Sequence, residues 1–233
     1  MRFSLEAMKN LKKIISGIIF SLIFGTSVFA EISFGANLKG GTGVGAVRAG
    51  DFENSFGTTD SILNITFGFD LNAQFGFKIG TQDFFVRPEF SMLFNNGLGN
   101  GFRFTYDDHS IGTSSDSDCG ISVTTIDIPV YFGYKHNVGE KVFMEYFIGP
   151  YLSFPVYGKI ETDAKDFSGD FAKPVLGASV GLDCGIKAGK GAIILGADYM
   201  FDFVATKLDI DGKNELVYAR RNISINAGYR FIF

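Results

Sequence analysis

The chain has 233 residues and a formal charge of −4, from 21 basic and 25 acidic side chains, a balance that offers nucleic acid no basic surface. Its 27 Phe and 30 Gly, beside no Trp and only two Cys, exclude a disulfide scaffold and sit badly with a soluble globule. Beyond residue 30 no apolar run is long enough for a membrane-spanning helix.

The first element is a leader. Arg2, Lys9, Lys12 and Lys13 precede the apolar stretch "IISGIIFSLIFG", and Val28 and Ala30 occupy small-residue positions just after it. That is the layout of a secretory signal, with cleavage expected after Ala30. No Cys follows at the cleavage site, so an acylated N-terminus is not expected. One domain, residues 31–233, would remain, with 17 bases against 24 acids and a charge near −7.

Strand signals then follow one another. Ile32, Phe34, Ala36 and Leu38 alternate with polar or small residues. "LNITFGFDLNAQFGFKI" (Leu63 to Ile79) keeps a strict period of two, apolar against Asn64, Thr66, Asp70, Asn72, Gln74 and Lys78. A run of that period is a strand and not a helix. The same alternation marks Val86 to Phe94, Ile126 to Tyr134, Met144 to Phe154, Leu176 to Ile186, Ile193 to Phe201 and the closing "NISINAGYRFIF", so eight strands are expected.

The connections alternate in length. Short turns lie at "GTQD" (Gly80 to Asp83), "HNVGEK" (His136 to Lys141) and "AGKG" (Ala188 to Gly191), and long hydrophilic loops at about 48–60, 95–120, 157–173 and 204–221. Short turns at one end and long loops at the other predict an all-β fold, an eight-stranded antiparallel up-and-down transmembrane β-barrel. A soluble barrel shows the same alternation with its apolar residues turned inward. Here the apolar edge is rich in Phe, Leu and Ile, and the other edge holds Gly, Ser, Asn and a few opposed charges, which suits lipid outside and a hydrogen-bonded interior. The expected place is the outer membrane of a two-membrane bacterium, with both termini periplasmic.

"TTIDIPVYFGYK" (Thr124 to Lys135), "YFIGPYLSF" (Tyr146 to Phe154), "PVLGASVGLDCGIKAG" (Pro174 to Gly189), "ILGADYMFDF" (Ile194 to Phe203) and "NAGYRFIF" resemble the small outer-membrane β-barrel domain family, whose members are OmpX-, OmpA- or OmpW-like. The resemblance implies a barrel with no shared catalytic set. It also implies that Tyr229, Phe231 and Phe233 form the insertion signal read by the barrel-assembly machinery, which joins outer-membrane lipid as an expected partner.

Candidate chemistry is sparse. A hydrolase of the membrane surface would need a His with a Ser and a carboxylate. Of the two His, His136 sits in a turn, and His109 lies beside Asp107, Asp108 and Ser110 in a loop with no rigid strand to orient it, so no enzyme is expected. "DIDGKNE" (Asp209 to Glu215) and "SSDSD" (Ser114 to Asp118) offer oxygens without the spacing of a calcium loop, so neither metal nor cofactor is expected. The glycosylation-like triplets at Asn64 and Asn222 fall inside strands. Cys119 and Cys184 belong to a loop and to the lipid-facing row, too far apart to bond.

The inward row carries the main expectation: a lumen charge network of Asp70, Glu89, Asp127, Glu145, Asp183 and Asp198 with Lys78, Arg87, Lys135, Lys187 and Arg230, six acids to five bases. An eight-stranded barrel is just wide enough for its own side chains, so these groups should pair and close it. Lys78, Lys135, Lys187 and Arg230 should ring the inner mouth, the acids should lie near mid-barrel, and Arg87 should bridge to Glu89, Glu145 or Asp127. Gly177, Ser179, Gly181 and Gly185 would make room. Inward Tyr131, Phe143, Phe147 and Tyr151 either fill the core or line a site for a small lipophilic molecule. The expected function is non-enzymatic: display of the four loops to an external ligand or receptor, for adhesion, host or envelope interaction, or membrane integrity. The alternative is a narrow channel or binding barrel of OmpW-like kind. No nucleic-acid partner is expected.

Overall fold

A computed structural model of the chain describes residues 31–49, 60–100, 103–106, 109–112, 118–161, 167–171, 174–204, 206–209 and 215–233; the leader, 1–30, lies outside them. The strands are β1 (Glu31–Ala49), β2 (Asp60–Ile79), β3 (Gln82–Asn100), β4 (Arg103–Tyr106), β5 (His109–Gly112), β6 (Asp118–Asn137), β7 (Val142–Glu161), β8 (Phe167–Phe171), β9 (Val175–Ala188), β10 (Gly191–Asp202), β11 (Thr206–Asp209) and β12 (Glu215–Ile232). All the pairings are antiparallel, and they close a barrel of eight staves in the order β1, β2, β3, β6, β7, β9, β10, β12 and back to β1. The β1–β12 seam runs from Ser33 opposite Ile232 to Ala49 opposite Leu216, and the Phe233 amide donates to the Ile32 carbonyl at 2.9 Å. Above β9 and β10 the ladder continues through β8 and β11, which pair with each other and with β7 and β12.

Two of the hairpins close tightly because glycine supplies a positive φ. Gly80 (φ 64°) lies between paired Ile79 and Gln82, and Gly189 (φ 60°) between paired Ala188 and Gly191. This is the two-residue connection whose twist matches the flanking strands. At the third, the Val138 and Gly139 amides both donate to the Val142 carbonyl. The three turns and both ends of the described chain, Glu31 and Phe233, lie at one end of the barrel, here called the turn end.

The long loops predicted at 48–60, 95–120, 157–173 and 204–221 are shorter than expected. β1 runs on to Ala49, β2 starts at Asp60, β3 reaches Asn100, β6 starts at Asp118 and β7 reaches Glu161. Part of the second loop folds as the β4–β5 hairpin, with Tyr106 opposite His109. Hydrophobic alternation fades where both faces meet water, but backbone pairing needs no apolar side chain, so the ladder outlasts the pattern. At ~3.3 Å per residue and a ~40° tilt, a 20-residue stave such as β6 or β7 rises roughly 50 Å, about twice the ~25 Å apolar band of an outer-membrane barrel.

Burial is inverted relative to a soluble barrel. Leu38 is 72% exposed, Ile225 68% and Ile148 60%, whereas Asp70, Asp127 and Glu145 are fully buried. No aqueous surface would carry such a belt of Phe, Leu, Ile and Val, so the belt faces lipid. Rings stack along it near the turn end, where Phe84 meets Phe77, Phe132 and Tyr134. Near the other end the sequence Tyr199, Phe201, Phe203 does the same.

Candidate functional site

The lumen is filled, and its chemistry is layered. At the turn end the Lys135 ammonium lies 2.7 Å from Glu31 and 4.6 Å from the Phe143 ring centre, beside a vestibule of about 200 Å³. Above it Phe143, Ala192 and Ile194 form an apolar layer with Ile232 against them.

The next layer is ionic. Arg87 donates to Asp183 at 2.6 Å and lies 3.6 Å from Glu145. Arg230 donates to Glu145 at 2.7 Å and stands 3.7 Å from Asp183, closing a ring of two guanidinium and two carboxylate groups. Gln74 also donates to Glu145, at 2.8 Å. The Arg87 guanidinium lies 4.3 Å from the Phe147 ring centre and 5.2 Å from that of Tyr131, with Phe85 packed on the same pair. The cation is therefore held by rings and carboxylates together.

Lys39 centres a third layer, 2.6 Å from Glu89, 3.7 Å from Asp70 and 3.8 Å from Asp198. Asn37 and Asn72 both donate to Asp70, and Ser91 to Glu89. The fourth layer belongs to Arg220, which donates to Asp127 (2.8 Å), Thr125 (2.7 Å) and Ser153 (2.9 Å) and lies 3.5 Å from Asp202. Tyr151 donates its hydroxyl to Asp202 at 2.6 Å. Asn222 ties Thr66 to Asn95 at the same end.

The aromatic side chains owe their places to glycine. Phe143, Phe147 and Tyr151 on β7 stand opposite Gly185, Gly181 and Gly177 on β9, and Phe85 on β3 opposite Gly133 on β6. Each ring lies over the bare backbone of its glycine, where a Cβ would overlap it. The glycines predicted to make room for long charged groups thus serve rings instead.

Several expectations need correction. Lys78 is 61% exposed and pairs with Asp83 at the rim, and Lys187 is also exposed, so neither enters the lumen network. Both lie one or two residues from a turn, where water is within reach of a long side chain. Arg230 belongs to the carboxylate layer and not to a mouth ring, whereas Arg87 does reach Glu145, one of its three expected partners, and makes its shortest contact with Asp183, which was not among them. Lys39 and Arg220 join the network without having been expected there. Among the described residues, six acids and four bases are buried.

The remaining candidates stay apart. His136 is exposed and stacks near Tyr134, and His109 opens β5; Asp107 and Asp108 lie outside the described residues. Most of the two acidic stretches, 114–117 and 210–214, also lies outside them. No group of three or more His, Cys, Asp or Glu among the described residues is placed to hold a metal ion. Asn64 and Asn222 are buried, and Cys184 is a free thiol on the lipid-facing row. Phe231 and Phe233 are 54% and 79% exposed at the turn end, while the Tyr229 hydroxyl donates to the Ala188 carbonyl.

The structure is similar to that of the outer membrane protease OmpT from Escherichia coli, with a TM-score of 0.53 and 9% identity over 88% of this chain and 97% of that one. This chain has the fold of an outer-membrane β-barrel. Lower scores relate it to Ail, the attachment invasion locus protein of Yersinia pestis (0.35, 14% identity, 86% of this chain and 98% of that one) and to Neisserial surface protein A (0.37, 14%, 86% and 96%). No family model matches the barrel's sequence, and neither does any curated protein.

Proposed function

We propose that the barrel is a non-enzymatic display protein of the outer membrane, with the turn end and both termini in the periplasm and the opposite end outward. The regions 48–60, 95–120, 157–173 and 204–221 then meet an external ligand or receptor, in adhesion, host or envelope interaction, or membrane integrity, while the barrel serves as a rigid mount. The observation that carries this reading is the stack of layers from Lys135 to Arg220, in which rings and paired charges, buried among the described residues, succeed one another along the lumen. Staves that rise about twice the height of the apolar band add support, because the described strands themselves extend well past that band at the end opposite the turns. Planar-bilayer recording of the refolded mature protein tests it. A silent membrane is expected, and a steady open state would favour a channel and remove the display reading.

A further inference from the structure

The lipid-facing wall of the barrel is not a smooth cylinder. An open apolar groove of about 750 Å³ crosses β6, β7, β9, β10 and β12, with Phe132 and Tyr146 toward one side and Tyr199 and Ile223 toward the other. Ala197 lies between them. It is paired with Leu182 and Ile225 and flanked on its own outward row by Leu195 and Tyr199, so its methyl group is the low point among larger side chains. The groove is therefore sequence-built: one small residue in a row otherwise made of large ones.

A charge stands at its upper lip. Arg221 is the next outward residue after Ile223 on β12, exposed, and opposite Phe201 in the ladder. At ~3.3 Å per residue and a ~40° tilt it lies roughly 5 Å above the groove. Beside it the rings of Tyr199 and Phe201 on β10 and of Phe203 just past its end follow one another with centres 5.8 and 5.2 Å apart, from the groove toward the edge of the apolar band. A guanidinium at that height meets headgroup phosphates, whose oxygens match its planar fork.

We propose that this face holds one anionic phosphate-bearing lipid, its phosphate on Arg221 and one acyl chain laid in the groove over Ala197. Charge complementarity selects this occupant over a second copy of the chain, which would press an apolar row onto Arg221 and bury it without a counter-charge. The site lies on the outer wall and is independent of what the loops bind.

The test is native mass spectrometry of the refolded mature barrel offered phosphatidylglycerol and phosphatidylcholine together. The expected result is one retained phosphatidylglycerol, favoured about fivefold, as one base near an anionic surface provides. Arg221→Gln should bring the two lipids level, and Ala197→Phe should fill the groove and lower retention of both. Each variant is checked for a heat-modifiable folded band. The chain has no Trp, so Ile223→Trp gives a single reporter, which bromine-labelled phosphatidylglycerol should quench more than the labelled phosphatidylcholine. Equal retention of the two lipids by the unsubstituted barrel, or retention untouched by Ala197→Phe, would overturn the proposal. So would equal quenching.

Discussion

Replacing Arg220 with Met asks whether the lumen is a dry plug or a watery pore. Arg220 and Asp127 are 1% and 0% exposed in their side chains, 2.8 Å apart, and the same guanidinium serves Thr125, Ser153 and Asp202. Met keeps most of the volume and removes the charge, leaving two carboxylates and two hydroxyl groups facing an apolar chain. In a dry interior, stripping one partner from a buried pair costs about 3–5 kcal/mol. In water-filled surroundings two charges ~4 Å apart are worth only about 1 kcal/mol, and water would re-solvate the survivors. With an m-value of ~2 kcal/mol per molar urea, the dry lumen predicts a midpoint lower by roughly 2 M, and the wet lumen a shift under about 0.5 M. The assay is urea unfolding in lipid vesicles, read from the heat-modifiable band. Adding Asp127→Asn to the same chain should recover part of the loss, because it removes one of the stranded charges. A loss below about 1 kcal/mol with no coupling between the two sites would refute the plug.

The glycine seats give a second test. Gly181→Leu must evict the Phe147 ring and with it the platform under Arg87, so a loss of about 1–3 kcal/mol is expected in the same unfolding assay; outward-facing Val180→Leu should change little. For assembly, deletion of Phe233, or Tyr229→Ser with Phe231→Ser, should leave protein stalled in the periplasm with little heat-modifiable barrel, as fractionation would show. Normal insertion of these variants would end the insertion-signal reading.

The staves were legible where one face meets lipid and the other does not, because a period of two then separates Phe, Leu and Ile from Asn, Asp and Arg over a whole strand. Lys39 was missed because the run "GGTGVGA" beyond it carries no hydrophobic alternation; yet Lys39 has the parity of Ser33 and Asn37, and that parity alone assigned it inward. Arg220 has the parity of Asn222 and Ser224 and was missed because "LVYARRN" reads as loop. The aromatic seats were readable in principle, since Phe143, Phe147 and Tyr151 repeat every four residues on one strand, as Gly185, Gly181 and Gly177 do on its neighbour. The ionic partners were not. Arg87 and Asp183 sit on β3 and β9, which are not hydrogen-bonded neighbours, and which acid a base meets across the lumen follows from the stagger of the closed barrel, a property no single strand contains.

Charge also decides what would happen if the plug were opened. At mid-lumen the Arg87 guanidinium lies on the Phe147 ring, which is seated over Gly181, and is clamped by Asp183 and Glu145. Removing both side chains in R87A/F147A takes away one charge and one ring from the same level while β3 and β7 keep their ladders. Around the gap remain Asp70, Glu89, Glu145, Asp183 and Asp198 against Lys39 and Arg230, five buried acids to two bases. A lining of that sign attracts cations and repels anions. The folded double variant should therefore pass brief, cation-selective currents in a planar bilayer in which the unsubstituted barrel is silent. Anion preference would refute the charge argument. Continued silence from a heat-modifiable, folded protein would place the seal lower, in the layer where Phe143 meets Ala192 and Ile194 over Gly185. Adding Phe143→Ala to R87A/F147A should then open the barrel, with the same cation preference, because that layer carries no charge of its own.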